Sequence, residues 1–157
     1  MKSLASGALA GAAAGLVGTA LMTVAMLPLK KALMSPGTVP PRQITDNFLD
    51  KLGLRDYLST RAFEASWLAL HFAYGTTPGV AYALALKATG GERPFLTGAA
   101  FGMVLWAAGY CGWLPLTGLY PPPTRLPKRK VAAELIGTHL VYGMSTAQAH
   151  RAFRSES

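Results

Sequence analysis

Charge is what this chain has least of. Of its 157 residues, 14% are Asp, Glu, Lys or Arg, whereas a soluble domain carries roughly a quarter. The few charges are also segregated. None lies between Lys2 and Lys30, between Glu64 and Lys87, or between Arg93 and Arg125, and from Val131 to His150 there is only Glu134. Cysteine is nearly missing too. Cys111 stands alone, which excludes an internal disulfide and a cysteine-based metal cluster; it reads as a small apolar filler. Catalytic patterns are absent as well. There is no Gly-x-Ser-x-Gly, no phosphate-binding loop, no His-Glu-x-x-His, and no nucleophile with a base nearby. The chain reads as no enzyme.

What is present is apolar length. A helix needs roughly 20 apolar residues to cross about 30 Å of hydrocarbon. Four stretches reach that length: about 4–29, 65–86, 94–116 and 131–150. The first and third are strongly hydrophobic; the second and fourth are more polar. The first run is longer than a signal-peptide core, so it reads as a retained span. The expected fold is therefore all-α, an integral-membrane four-helix bundle. The connection between the first two spans is long. Within it Ile44, Phe48, Leu49 and Leu52 share one helical face, predicting a short helix over about 44–53 that lies in the interface or packs on the protein. The segment "TGGERP" has turn chemistry, and "YPPPTRLPKRK" is too rich in proline for helix and is expected to be extended.

The net charge of +8 does not point to nucleic acid. The Lys and Arg residues sit at span ends and in loops, where a lipid bilayer accounts for them. The two connections after the first and third spans carry Lys30, Lys31, Arg42, Lys51, Arg55, Arg61, Arg125, Lys128, Arg129 and Lys130. The opposite side carries Lys2, Lys87, Arg93, Arg151 and Arg154. The positive-inside rule then places those two connections in the cytoplasm and both termini outside.

The chain also repeats itself. "HFAYGTT" (71–77) and "HLVYGMS" (139–145) share His, Tyr and Gly at one spacing. "GALAG" (7–11) in the first span pairs with "GAAFG" (98–102) in the third. Pro40, Pro41 and Arg42 follow the first span, and Pro122, Pro123 and Arg125 follow the third. Recurrence of three landmarks in one order implies two copies of a two-span unit. An even-span copy re-enters the membrane in the same sense, so the repeats would be parallel. The sequences "PPRQI", "LHFAYG", "TGAAFGMVLWAAGY" and "AELIGTHLVYG" resemble the YagU-type family of small bacterial inner-membrane proteins. That resemblance implies a multi-pass helical protein of the bacterial inner membrane and supplies no mechanism.

Several residues carry candidate roles. Gly7, Gly11 and Gly15 form a row on one helix face, and Gly98 and Gly102 another; with Gly75 and Gly143 they read as close helix contacts, or as a homo-oligomer face. His71 and His139, with Tyr74 and Tyr142 one turn away, form a candidate intramembrane polar site. A polar group in hydrocarbon needs a partner, so interhelical hydrogen bonding leads, and a haem or metal held between the two histidines is the alternative. No metal cluster or other cofactor is indicated. Glu134 reads as a carboxylate favoured near a helix start, with Lys130 close by. It stands five positions from His139, off its face in an α-helix. Arg42 and Arg125 read as headgroup anchors. Pro78 is expected to kink the second span and free the carbonyl of Tyr74, with Thr76 or Thr77 on hand to help resatisfy that region. The leading role is a structural or accessory subunit of a larger membrane complex; a small transporter or channel between the two repeats is the alternative.

Overall fold

The computed structural model describes residues 4–32, 38–89 and 93–155, and these are helical, with no strand among them. Five helices follow in order. Helix α1 is Leu4–Ala32, α2 is Pro40–Lys51 and α3 is Thr60–Thr89. Helix α4 starts as Pro94–Trp106, widens into a π-helical stretch Ala107–Trp113, and ends in Leu114–Leu116. Helix α5 joins Lys128–Ala132, a second π stretch Ala133–His139, and Leu140–Ser155. The second apolar stretch thus begins earlier than expected, at Thr60.

The short helix predicted over 44–53 is α2, shifted towards the N-terminus. Pro40 and Pro41 occupy its first turn, where the missing N–H groups have no helical acceptor to lose. Its end is a Schellman turn. Gly53, at φ 66°, lets its own N–H reach the Asp50 carbonyl at 2.8 Å and the Leu54 N–H reach the Leu49 carbonyl at 2.9 Å. Gly118, at φ 67°, closes α4 the same way, with Leu119 N–H on the Leu114 carbonyl at 2.9 Å. The proline-rich connection is not extended throughout: Pro123–Arg125 makes a 3₁₀ turn between extended Pro122 and Leu126. The kink expected at Pro78 does not break α3. Thr76 and Thr77 bond the carbonyls of Phe72 and Ala73 at 2.7 and 3.1 Å, not that of Tyr74.

Glycine sets how closely the helices approach. A Cβ built on Gly15 of α1 would lie 2.7 Å from the Gly75 carbonyl and 3.1 Å from Gly79 Cα of α3. One on Gly98 of α4 would meet Ala147 of α5 at 2.8 Å and Met144 Cα at 2.9 Å. Gly11, Gly75, Gly102 and Gly143 are equally crowded by the facing helix. Such small-residue contacts bring backbones together where side-chain burial gives little drive. Gly7 differs from expectation, since a Cβ there meets nothing. Helices α1 and α5 also pack directly, with Gly18 against Tyr142 and Thr146. Helix α4 packs on the far side of α5. Helices α3 and α4 meet instead through side chains: Tyr82 on Phe101, and Tyr74 on Trp113.

Two helices, over Ala5–Leu29 and Pro94–Leu116, are long and apolar enough to cross a membrane, and 28% and 22% of their apolar windows are buried. A core helix of a soluble protein would be mostly covered. Here leucines and valines on α1, and Phe95, Leu96 and Val104 on α4, stand exposed. Exposed apolar surface of that extent marks contact with lipid or protein.

Helix α2 is seated on α3 by charge and by an aromatic ring. Phe63 is fully buried, and the guanidinium groups of Arg42 and Arg55 lie over its ring at 4.8 and 4.1 Å. Arg42 donates to Glu64 at 2.8 Å, and Arg55 to Asp46 at 2.5 Å. Donation from Arg42, and secondarily from the Trp67 indole, holds the Glu64 carboxyl below the usual carboxylate range. Arg42, expected as a headgroup anchor, is partly exposed and has its guanidinium bonded to Glu64. Arg125 is exposed.

Candidate functional site

The gap between α3 and α4 holds a cavity of about 280 Å³. Helix α1 supplies its back wall through Thr19 and Met22, and α5 supplies His139 and Tyr142. Helix α2 closes one end with Pro41, Ile44 and Phe48. Asn47 ties α2 down there by donating to the Leu119 carbonyl at 2.8 Å. Beneath lies a cluster of Tyr110, Leu114, Leu119 and Tyr120, with Ile44 packed against it. At the other end Tyr82 and His150 are buried, their rings edge to face at 5.9 Å, with Phe101 alongside. Phe48, Leu70, Tyr74 and Trp113 line the cavity and are also exposed, so it opens outward where they stand.

Both histidines singled out in the sequence face this cavity, as do Tyr74 and Tyr142. The structure resolves how each is held. Tyr142 is buried, and its hydroxyl donates to the Gly75 carbonyl at 2.5 Å. His71 Nε2 lies 3.0 Å from Thr23 Oγ1. The Thr23 hydroxyl already donates to the Thr19 carbonyl at 2.7 Å, so its oxygen can only accept. His71 therefore donates through Nε2, and in its neutral form Nδ1 is an acceptor. His139 Nδ1 lies 3.2 Å from Thr138 Oγ1, and its ring meets Tyr110 edge to face at 5.5 Å. Among the described residues no Asp, Glu, Lys or Arg lines the cavity.

Both π-helical stretches contribute to it, through Gly109, Tyr110 and Trp113 of α4 and His139 of α5. A π turn hydrogen-bonds i to i+5 and widens the helix, and such turns are frequent at functional sites. For α4 the cause is legible. Pro115 cannot donate to the carbonyl of Cys111 and its ring crowds that turn. Gly112 absorbs the distortion at φ −109°, ψ −109°. The α5 stretch changes the relation of Glu134 to His139: five positions are one π turn, so the α-helical argument that separates their faces does not apply. The Glu134 side chain lies outside the described residues.

Other residues were invisible to sequence reasoning. Thr19 and Thr23 looked like ordinary span residues, and Ile44 and Phe48 belonged to a helix whose position was open. His150 was read only as the end of a span, and it is buried. Cys111, expected as a small apolar filler of the third span, is exposed on α4. Among the described residues no three His, Cys, Asp or Glu side chains gather as a metal site.

A family model described as a protein of unknown function, DUF1440, matches residues 34–148. No curated protein matches the chain, and no solved structure does.

Proposed function

The chain belongs to DUF1440, a family of unknown function, and from that premise we propose a non-catalytic membrane role: an accessory subunit that holds a membrane-soluble ligand between its helices. In this reading α1, α3, α4 and α5 all cross the bacterial inner membrane, and α2 lies at the cytoplasmic interface with the more basic connections. The YagU-type resemblance agrees with that placement.

The observation carrying the reading is the cavity between α3 and α4, whose described lining is mostly apolar, with Thr19, His71, His139 and Tyr142 as its placed polar groups. Pockets that hold small molecules are mostly apolar with a few placed polar groups, and they favour gaps between helices of bundles. A transport pathway has less behind it. One end is floored by α2 and Leu119, and the other is filled by Tyr82, Phe101 and His150.

Duplication explains why the gap exists. Gly15 approaches positions 75, 76 and 79; Gly98 approaches 143, 144 and 147. Counted from His71 and His139, these are the same three positions. The contacts therefore favour aligning Gly15 with Gly98, eight residues from the pairing of Gly7 with Gly98. Under that register Gly18 corresponds to Phe101. Gly18 lets α1 close on α5, whereas the Phe101 ring between Tyr82 and Tyr142 keeps α4 off α3. Two copies with one bulky replacement leave one interface closed and the other open.

The test fills the cavity. A Cβ on Gly109 meets nothing nearer than 3.8 Å, so Gly109→Leu adds volume without a backbone clash. Native mass spectrometry of detergent-purified protein should show a bound small molecule in the wild type and none in Gly109→Leu. A wild type that carries nothing and binds no added apolar ligand removes the proposal.

A further inference from the structure

We propose that the cavity takes the ring of a lipid-tailed phenol or hydroquinone, whose hydroxyl donates a hydrogen bond to Nδ1 of His71. The inference rests on the reading of this cavity as a binding site and adds the chemistry of its occupant.

Four features select that chemistry. The first is charge. Among the described residues no ionisable acid or base other than histidine and tyrosine lines the cavity, and an anionic headgroup taken from water without a counter-charge is strongly disfavoured. Phosphate- and carboxylate-headed lipids are thereby selected against, and the occupant's polar end is neutral. The second is hydrogen-bond polarity. The chain of donors from His71 to Thr23 to the Thr19 carbonyl runs one way along the back wall, and Tyr142 donates to Gly75. Those donors are engaged, and among the groups of this network the one left to meet a ligand is the accepting Nδ1 of His71. A ligand that satisfies it brings its own O–H. A carbonyl-only head, such as an oxidised quinone, leaves that nitrogen unmet, although the Tyr74 hydroxyl and the Trp113 indole, which also line the cavity, can donate to such a head.

The third is shape. Tyr74, Tyr110 and Trp113 turn aromatic surface towards the space, and Tyr74 and Trp113 already lie 6.0 Å apart. A flat ring finds offset or edge-on partners there. The fourth is size. A cavity of about 150 Å³ accepts benzene, so 280 Å³ accommodates one substituted ring and the start of a chain. The rest of the tail leaves through the mouth at Leu70 and Phe48, across the apolar outer surface.

The experiment varies the ligand as well as the protein. Purified full-length protein in mild detergent is titrated with decyl-hydroquinone, its dimethyl ether and decylbenzene, reading the quench of tryptophan fluorescence. The hydroquinone should bind about tenfold more tightly than its dimethyl ether, the weight of one hydrogen bond in a dry site. In His71→Phe the two should bind alike. That substitution leaves Thr23 donating to Thr19, so no buried donor is orphaned. Equal binding of all three ligands by the wild type overturns this inference while leaving an apolar binding site standing. No binding by any of them overturns both. A Soret band in the purified protein, lost in His71→Phe, would replace the phenol with haem.

Discussion

Adding one methyl group at Gly143 should separate two helices, and the cost can be worked from the backbone. A Cβ there would overlap the Gly98 carbonyl and come within 2.7 Å of Gly102 N and 2.9 Å of Gly102 Cα. All three obstacles are main-chain atoms of α4, so no flexible side chain can swing aside. The helices must move apart, and over-packing of this kind costs about 1–3 kcal/mol. Against that stands a gain of about 1 kcal/mol, because alanine is the better helix former. Gly7→Ala isolates the gain, since a Cβ at Gly7 meets nothing. The difference between Gly143→Ala and Gly7→Ala is then the clash alone. At about 2–4 °C per kcal/mol for a chain of this size, Gly143→Ala should melt roughly 2–12 °C below Gly7→Ala. Thermal unfolding of both variants in the same detergent measures it. Equal melting temperatures would mean that α4 and α5 do not approach at these glycines, and the packing argument would be wrong.

Tyr142→Phe removes the hydroxyl that bonds the Gly75 carbonyl and should cost about 1 kcal/mol, read as a small loss of melting temperature; an unchanged value would deny that bond. The Glu64 carboxyl is held below its ordinary value of 4.5, so its contribution is present above that pH and is lost as pH falls through the lowered value. Glu64→Gln should flatten the acid limb of a melting-temperature profile in this window, and an unaltered limb would assign acid sensitivity elsewhere. Cys111 is exposed on α4, yet under the proposed membrane placement, in which lipid would cover that surface, a sulfonated maleimide should leave it unmodified in intact membranes until detergent denaturation; rapid labelling would place this face in water.

Much of the fold was legible because helices in an apolar chain are marked by where charge is missing. The gaps around His71 and around Gly98 bound α3 and α4 well, and the apolar spacing of Ile44, Phe48 and Leu49 announced α2. The pair of His-x-x-Tyr-Gly segments singled out His71 and His139, and both line one cavity. The partners of those rings were not legible. Thr23 stands 48 positions from His71, and nothing in a threonine's neighbours along the chain identifies the imidazole it accepts from. The α4 distortion did leave a trace, in Gly112 three residues before Pro115, but proline and glycine together are also how an ordinary turn is written. The pairing of Arg42 with Glu64 was not legible either, because Glu64 belongs to the next helix.

By itself, then, the order of residues determined the local matters: helix rather than strand, uncharged stretches of bilayer length, the Schellman ends at Gly53 and Gly118, and a recurring polar pair. These depend on interactions within a few turns of chain. Tertiary structure alone decided which glycine faces which, that α1 closes on α5 while Phe101 holds α4 away from α3, and that both histidines line the space left over. Helix contacts are chosen by shape along whole surfaces, so the Phe101 ring beside Tyr82 and Tyr142 and the bare Gly18 on α1 set spacings that no local pattern announces.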